Sequence, residues 1–430
     1  MKRYLLFLLF FSATLVASPA IQLIKKENND SNKTLLVIGG IHGNEPGGYF
    51  AAAILAMHYK ITSKNLWIVP NLNSESIIQN KRGIHGDMNR KFAHIDKHDK
   101  DKPYVEAIKK VILDPKVSLV LNLHDGHGFY RSSYKGSIFN PNAWGQTCVI
   151  DQCSLDQNQS FGNLNDIALQ VRDNVNKKLL AKHHQFNVKN TKTKYIDEQM
   201  QLSLTYFAVT HNKPAFAIET SKSLSSLSQK VFYQLLAIEE YMKIMGIKYK
   251  RDFSLNESEL SKIINNYGSL EINDNILIQL SNIKKTLSFV PIKSNNNDFH
   301  FSHPLGKIKR TKGEFLVFIG NKLITTLKPQ FFKMDHNCKE SFELLIDGQQ
   351  KSTKKASTFF VMNNFKVLKE KKYRVNIIGF SSKKGGDESG VTISLKDMHK
   401  HYSIDKDAKI YRVEFYKEDN FCSMLMVQFK

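Results

Sequence analysis

Over residues 20 to about 250 the chain alternates short, almost wholly apolar runs with helix-favouring segments, and near Arg251 that pattern changes. That alternation restricts the first half to a sheet with helices packed on it. Residues 34–38 are β-branched and apolar and end at Gly39-Gly40, the mark of a buried strand. Residues 45–58 are Ala-rich, with Pro46 suited to a first helical turn. Further strands are expected at 66–69, 117–123 and 215–218, and further helices at 104–113, 165–181 and 230–245. The order predicts an α/β domain with a mixed, mostly parallel sheet flanked by helices.

A last helix is expected at 254–266, after which only β-rich runs separated by polar turns remain. Examples are 314–319, 323–327, 342–346, 358–362, 373–378, 391–395, 409–416 and 423–429. The alternation in Tyr411-Arg412-Val413-Glu414-Phe415 marks half-buried antiparallel strands. Runs of this size and spacing predict a small β-barrel-like domain over 251–335 and an immunoglobulin-like β-sandwich over 336–430, after an α/β domain over 19–250. A chain of 430 residues is too long for a single core, so several domains are expected.

The start has the features of a signal peptide over residues 1–18. Lys2 and Arg3 precede an apolar run at 5–16, and small residues follow at Ala17, Ser18 and Ala20. The run is too short to span a bilayer comfortably, so export is expected rather than an uncleaved anchor. Losing Lys2 and Arg3 takes the formal net charge from +22 to 22 − 2 = +20. A basic exported chain meets an anionic partner, a cell-wall polymer or a membrane surface rather than nucleic acid; general solubility is the plainer alternative. The four cysteines, Cys148, Cys153, Cys338 and Cys422, permit two disulfides, 148 with 153 and 338 with 422.

The chemistry concentrates at Gly39-Gly40-Ile41-His42-Gly43-Asn44-Glu45-Pro46. His42 and Glu45 lie three apart between a strand and a helix start, where an imidazole and a carboxylate can meet at one point. Zinc accepts both donors and, in a catalytic site, a third protein ligand. His124 supplies one from the end of the 117–123 strand. Each alone is weak, since H-x-x-E arises by chance and a histidine after a strand is usually structural. Glu219 ends the 215–218 strand, where a buried carboxylate is costly unless it is paired or performs chemistry. It is either a general base toward water or a helix-capping acid. Arg82, Asn89 and Arg90 share a loop-rich segment, either a carboxylate and carbonyl binding set or a solvated basic loop. Asp125 could meet a substrate ammonium, orient a ligand histidine or serve a turn. Trp144 is expected to pack in its loop.

The order His42-x-x-Glu45, Arg82, Asn89-Arg90, His124 and Glu219 resembles the M14 family of zinc carboxypeptidases over roughly residues 33–245. That resemblance implies one zinc per chain on His42, Glu45 and His124. It implies that Arg82 polarises the scissile carbonyl, that Asn89 and Arg90 hold the terminal carboxylate, and that Glu219 is the base. It also implies an assisting tyrosine, with Tyr195 and Tyr206 as candidates. The glycine-rich motif, the leader and the appended β domains are similar to the exported peptidoglycan DL-carboxypeptidases that shape helical and curved Gram-negative cells. The implied enzyme is periplasmic and trims muropeptide tripeptides to dipeptides by releasing meso-diaminopimelate; its β domains either dock wall-remodelling partners or only position the catalytic domain. The alternatives are an N-acyl amino-acid deacylase, a carboxypeptidase acting on proteins and a non-catalytic wall scaffold.

Overall fold

The structure, a computed structural model, describes residues 21–28, 33–155, 159–335, 337–381 and 385–430. The signal peptide expected at 1–18 lies outside the described residues. A seven-stranded sheet runs in the order Ile24–Lys26, Asn65–Val69, Thr34–Ile38, Val117–Gly126, Ala215–Ser221, Thr147–Ile150 and Asn187–Asn190. The strands Asn65–Val69, Thr34–Ile38, Val117–Gly126 and Ala215–Ser221 are parallel neighbours, while Ile24–Lys26 and Thr147–Ile150 each join antiparallel. The expected mixed, mostly parallel sheet is therefore observed. Thr34–Ile38 and Asn65–Val69 are buried along their whole length, as the apolar runs 35–38 and 66–69 within them require.

Successive strands are added on opposite sides of Thr34–Ile38, first Asn65–Val69 and then Val117–Gly126. Clefts form outside the carboxyl ends of strands at such a reversal. Two strands run further than their apolar runs suggest: Val117–Gly126 includes His124 and Asp125, and Ala215–Ser221 includes Glu219. The helices Pro46–His58, Lys102–Ile112, Leu164–Asn176 and Leu227–Ile244 lie within five residues of their expected ends. Among the described residues no helix is long and apolar enough to cross a membrane.

After the Glu257–Ile264 helix the chain is β-rich. Residues 269–331 form a three-stranded and a four-stranded sheet, whose buried side chains, among them Leu270, Ile278, Val317 and Leu327, continue the core of the first domain. Residues 341–429 form two four-stranded sheets around a second core that includes Phe342, Phe365, Val413 and Phe429.

Cys338 and Cys422 form a disulfide. The other expected pairing, Cys148 with Cys153, is not formed. Cys148 lies inside a strand and is fully buried, and burial pushes its thiol up to about 12. Cys153 lies beyond the strand end, exposed, where its sulfur accepts a hydrogen bond from Asn190 Nδ2 at 3.2 Å. One side chain points into the core and the other into solvent, so the short spacing does not bring the sulfurs together.

Candidate metal centre

Glu45 is the residue immediately before the Pro46–His58 helix. The helix start presses on the Val117–Gly126 strand through two glycines. A Cβ on Gly48 would stand 2.7 Å from the Leu123 carbonyl oxygen, and one on Gly47 would stand 2.3 Å from Asp125 Oδ1. This close approach carries Glu45 to His124. Glu45 Oε2 lies 3.0 Å from His42 Nδ1 and 2.8 Å from His124 Nδ1, and all three side chains are buried. One ligand atom from each lies within 4.8 Å of the others. Three donors of the kinds zinc prefers thus converge, with positions left for water and substrate.

Asp87 continues the cluster. Its Oδ1 lies 2.8 Å from His42 Nε2 and accepts the Asn89 amide at 2.9 Å. An imidazole that gives its Nε2–H to Asp87 leaves Nδ1 free to offer a lone pair at the centre. Burial works to raise the Asp87 pKa, but the hydrogen bond and charge of His42, with Arg82 and Arg90 behind them, hold it well below the usual range. Arg82 bridges the cluster, with Nη1 3.2 Å from Glu45 Oε1 and Nε 2.9 Å from Asp87 Oδ2. Lys222 Nζ stands 3.5 Å from Glu45 Oε1. Burial opposes the charge on Glu45, yet His42 and His124 keep its pKa well below normal.

Glu219 sits opposite His124 in the parallel register between two strands, with Thr220 opposite Asp125. It lies half-buried on the cavity wall. Burial, then the charges of Glu45 and Asp125, push its pKa well above the ordinary carboxylate range; Arg82 and Lys222 pull the other way. A cation placed among the three donors would lower it again. Such a group can take a proton in one step and return it in the next.

His42, Glu45, His124, Arg82, Asn89, Arg90 and Glu219 all line one cavity of about 250 Å³. Asn89 is anchored from behind, its Oδ1 accepting the Leu204 amide at 3.0 Å, and Arg90 Nη1 donates to the Asn89 carbonyl at 3.0 Å. Asp125 holds the helix start rather than His42 or His124: its Oδ2 accepts the Gly47 amide at 2.8 Å and its Oδ1 the Thr220 hydroxyl at 2.5 Å. Trp144, expected as a packed loop residue, lines the cavity and lies under Lys189 Nζ at 4.1 Å. Neither tyrosine lines it, and Tyr195 is 81% exposed. Met200 and Thr205 come to the wall from that part of the chain instead. Asp87, Lys222 and Thr205 had no signal in the sequence beyond lying near the motif residues, because their places depend on register and packing.

Residues 1–265 match the family described as the catalytic part of a carboxypeptidase controlling helical cell shape, and residues 335–430 match a C-terminal domain of metallo-carboxypeptidase. The chain is similar to the cell shape determinant protein Csd4 from Helicobacter pylori. To the apo crystal structure it is 36% identical with a TM-score of 0.90, over 95% of this chain and 100% of that one. The same identity and coverage hold for the mDAP-bound form, described as a D,L-carboxypeptidase, with a TM-score of 0.90. They hold also for the tripeptide-bound form, with a TM-score of 0.89. A search of the curated proteins finds no match.

Proposed function

The chain belongs to the family of metallo-carboxypeptidases that controls helical cell shape, and on that premise we propose that it is a zinc-dependent peptidoglycan DL-carboxypeptidase. Its substrate is a muropeptide tripeptide, which it trims to a dipeptide by releasing meso-diaminopimelate. The observation that carries this reading is the single Glu45 oxygen met by both imidazoles, with Glu219 in register beside His124.

In this reading His42, Glu45 and His124 hold one zinc, whose Lewis acidity, when it is bound, acts on water and on the scissile carbonyl. Glu219 takes a proton from the attacking water and delivers it to the leaving amine nitrogen. Arg82 brings positive charge to the carbonyl oxygen as negative charge develops there. Asn89 and Arg90 grip the carboxylate at the end of the substrate, which limits cleavage to the last residue. Asp87 fixes the His42 ring, His42 and His124 keep Glu45 ionised, and Arg82 and Lys222 stand against its other oxygen.

The proposal extends to the places not covered by this geometry. Residues 1–18 direct export to the periplasm and are removed. The domains divide near 250 and 335, and the last is an immunoglobulin-like sandwich after a small barrel-like unit. Peptide mapping of the exported chain checks the leader, and a retained Met1 contradicts it. The substrate is tested by digesting purified muropeptides with the mature protein, with and without chelator, and reading the products by mass spectrometry. Chelator-sensitive loss of diaminopimelate from tripeptides, with tetrapeptides untouched, is expected. No change in any muropeptide while metal is bound would move the substrate to proteins or small N-acyl amino acids.

A further inference from the structure

On the Ile410–Lys417 strand, Tyr411, Val413 and Phe415 fill the C-terminal core, so Arg412, Glu414 and Tyr416 face the middle sheets. Arg412 is only 5% exposed. Its Nη1 donates to the Phe289 carbonyl at 3.0 Å and lies 3.7 Å from Glu414 Oε1, while its Nε has no partner. Glu414 Oε1 accepts no hydrogen bond either. Burial raises the Glu414 pKa against the pull of Arg412 and the hydrogen bond from Tyr416. The guanidinium is thus buried with one carboxylate at 3.7 Å and an Nε that meets no acceptor, a charge that a further anion would stabilise.

Arg412 stands between two cavities of about 350 and 360 Å³, and both also touch Phe289 and Tyr402. The first adds Lys284 and His401, with no acidic residue in its wall. Lys284 Nζ gives two of its three N–H groups to the carbonyls of Lys400 and His401, at 3.0 and 3.1 Å. The Thr286–Ile292 strand slips register between Leu287 and Val290, and Phe289 there has φ of 57° and is 62% exposed. A left-handed backbone at an aromatic residue is strained, and strain of this kind gathers at functional sites. Tyr402 presents a second exposed ring.

We infer that this cleft between the last two β regions is a second ligand site, separate from the metal centre, for an acidic saccharide. The carboxylate meets Arg412 and Lys284, and the sugar ring lies against Phe289 and Tyr402. A neutral sugar would make no use of the charges on Arg412 and Lys284, and a simple anion would leave both rings in water, so the cleft fits a ligand with both halves.

N-acetylmuramic acid, one pyranose with one free carboxylate, is the probe, and N-acetylglucosamine, which lacks that carboxylate, is the control. Calorimetric titration of the full-length, metal-loaded protein should show a saturable site for the first and not for the second. Phe289→Gly relieves the positive φ and removes the ring. It and Arg412→Met should each weaken binding about tenfold or more, the loss of one major contact, without changing the rate of tripeptide cleavage. Phe289→Gly decides alone if Arg412→Met does not fold. No saturable binding, equal binding of the control, or undiminished binding to Phe289→Gly overturns the site. So does binding that is lost in Arg90→Ala and kept in Phe289→Gly, which moves the ligand to the metal cavity. The readout is binding and not turnover, so a failure of the proposed hydrolysis leaves this inference standing.

Discussion

At the scale of residues, the site is organised by charges that hold one another in place. Glu45 faces two imidazoles, Arg82 and Lys222, so an anionic carboxylate can be buried there without unmatched charge. Asp87 reaches the same cluster through the far side of His42. Asp87→Asn should therefore weaken metal affinity about 10- to 100-fold while leaving the ligand set intact. Competition against a chelator of known affinity measures this, and an unchanged affinity would show that Asp87 does not orient His42. The proposed ligand residues were legible in the sequence because His42 and Glu45 lie between an apolar strand and a helix start and His124 follows an apolar run. Asp87 and Lys222 were not, since a carboxylate in a basic loop and a lysine after a strand look solvated until the fold sets them against Glu45.

At the scale of elements, the site depends on how closely a helix start lies on a strand. Asp125 ties the Gly47 amide to the strand, and Gly48 leaves no room for a side chain above Leu123. Gly48→Ala should destabilise the protein by about 1–3 kcal/mol, the usual cost of overpacking, and lower metal occupancy by shifting Glu45. Denaturant unfolding with metal analysis reads both, and a variant as stable as the parent would contradict the close approach. Strands with apolar sequence, such as Thr34–Ile38, declared themselves in the sequence. Thr147–Ile150 and Asn187–Asn190 did not, being four residues each and, in the second case, largely polar. Gln349–Lys354 is wholly polar and mostly exposed, so its pairing with Ser341–Ile346 is set by the partner strand rather than by its own side chains.

At the scale of the whole molecule, two cores share the work. The first runs from the seven-stranded sheet into the middle β region, and the second belongs to the last two sheets. The disulfide spans 84 positions and joins the segment entering the last region to its final strand. By loop entropy it stabilises by about 4.6 kcal/mol. Replacing Cys338 and Cys422 together by Ser should lower the unfolding temperature of the C-terminal region and leave tripeptide cleavage intact; an unchanged unfolding profile would show that the link adds nothing. What the molecule holds together is a carboxylate opposite a metal-binding trio, and the most direct test of that account is the rate of diaminopimelate release by Glu219→Gln, with its metal content measured on the same sample. The account predicts one metal per chain and a rate lower by about a thousandfold. A fully loaded variant that turns over like the parent would contradict it.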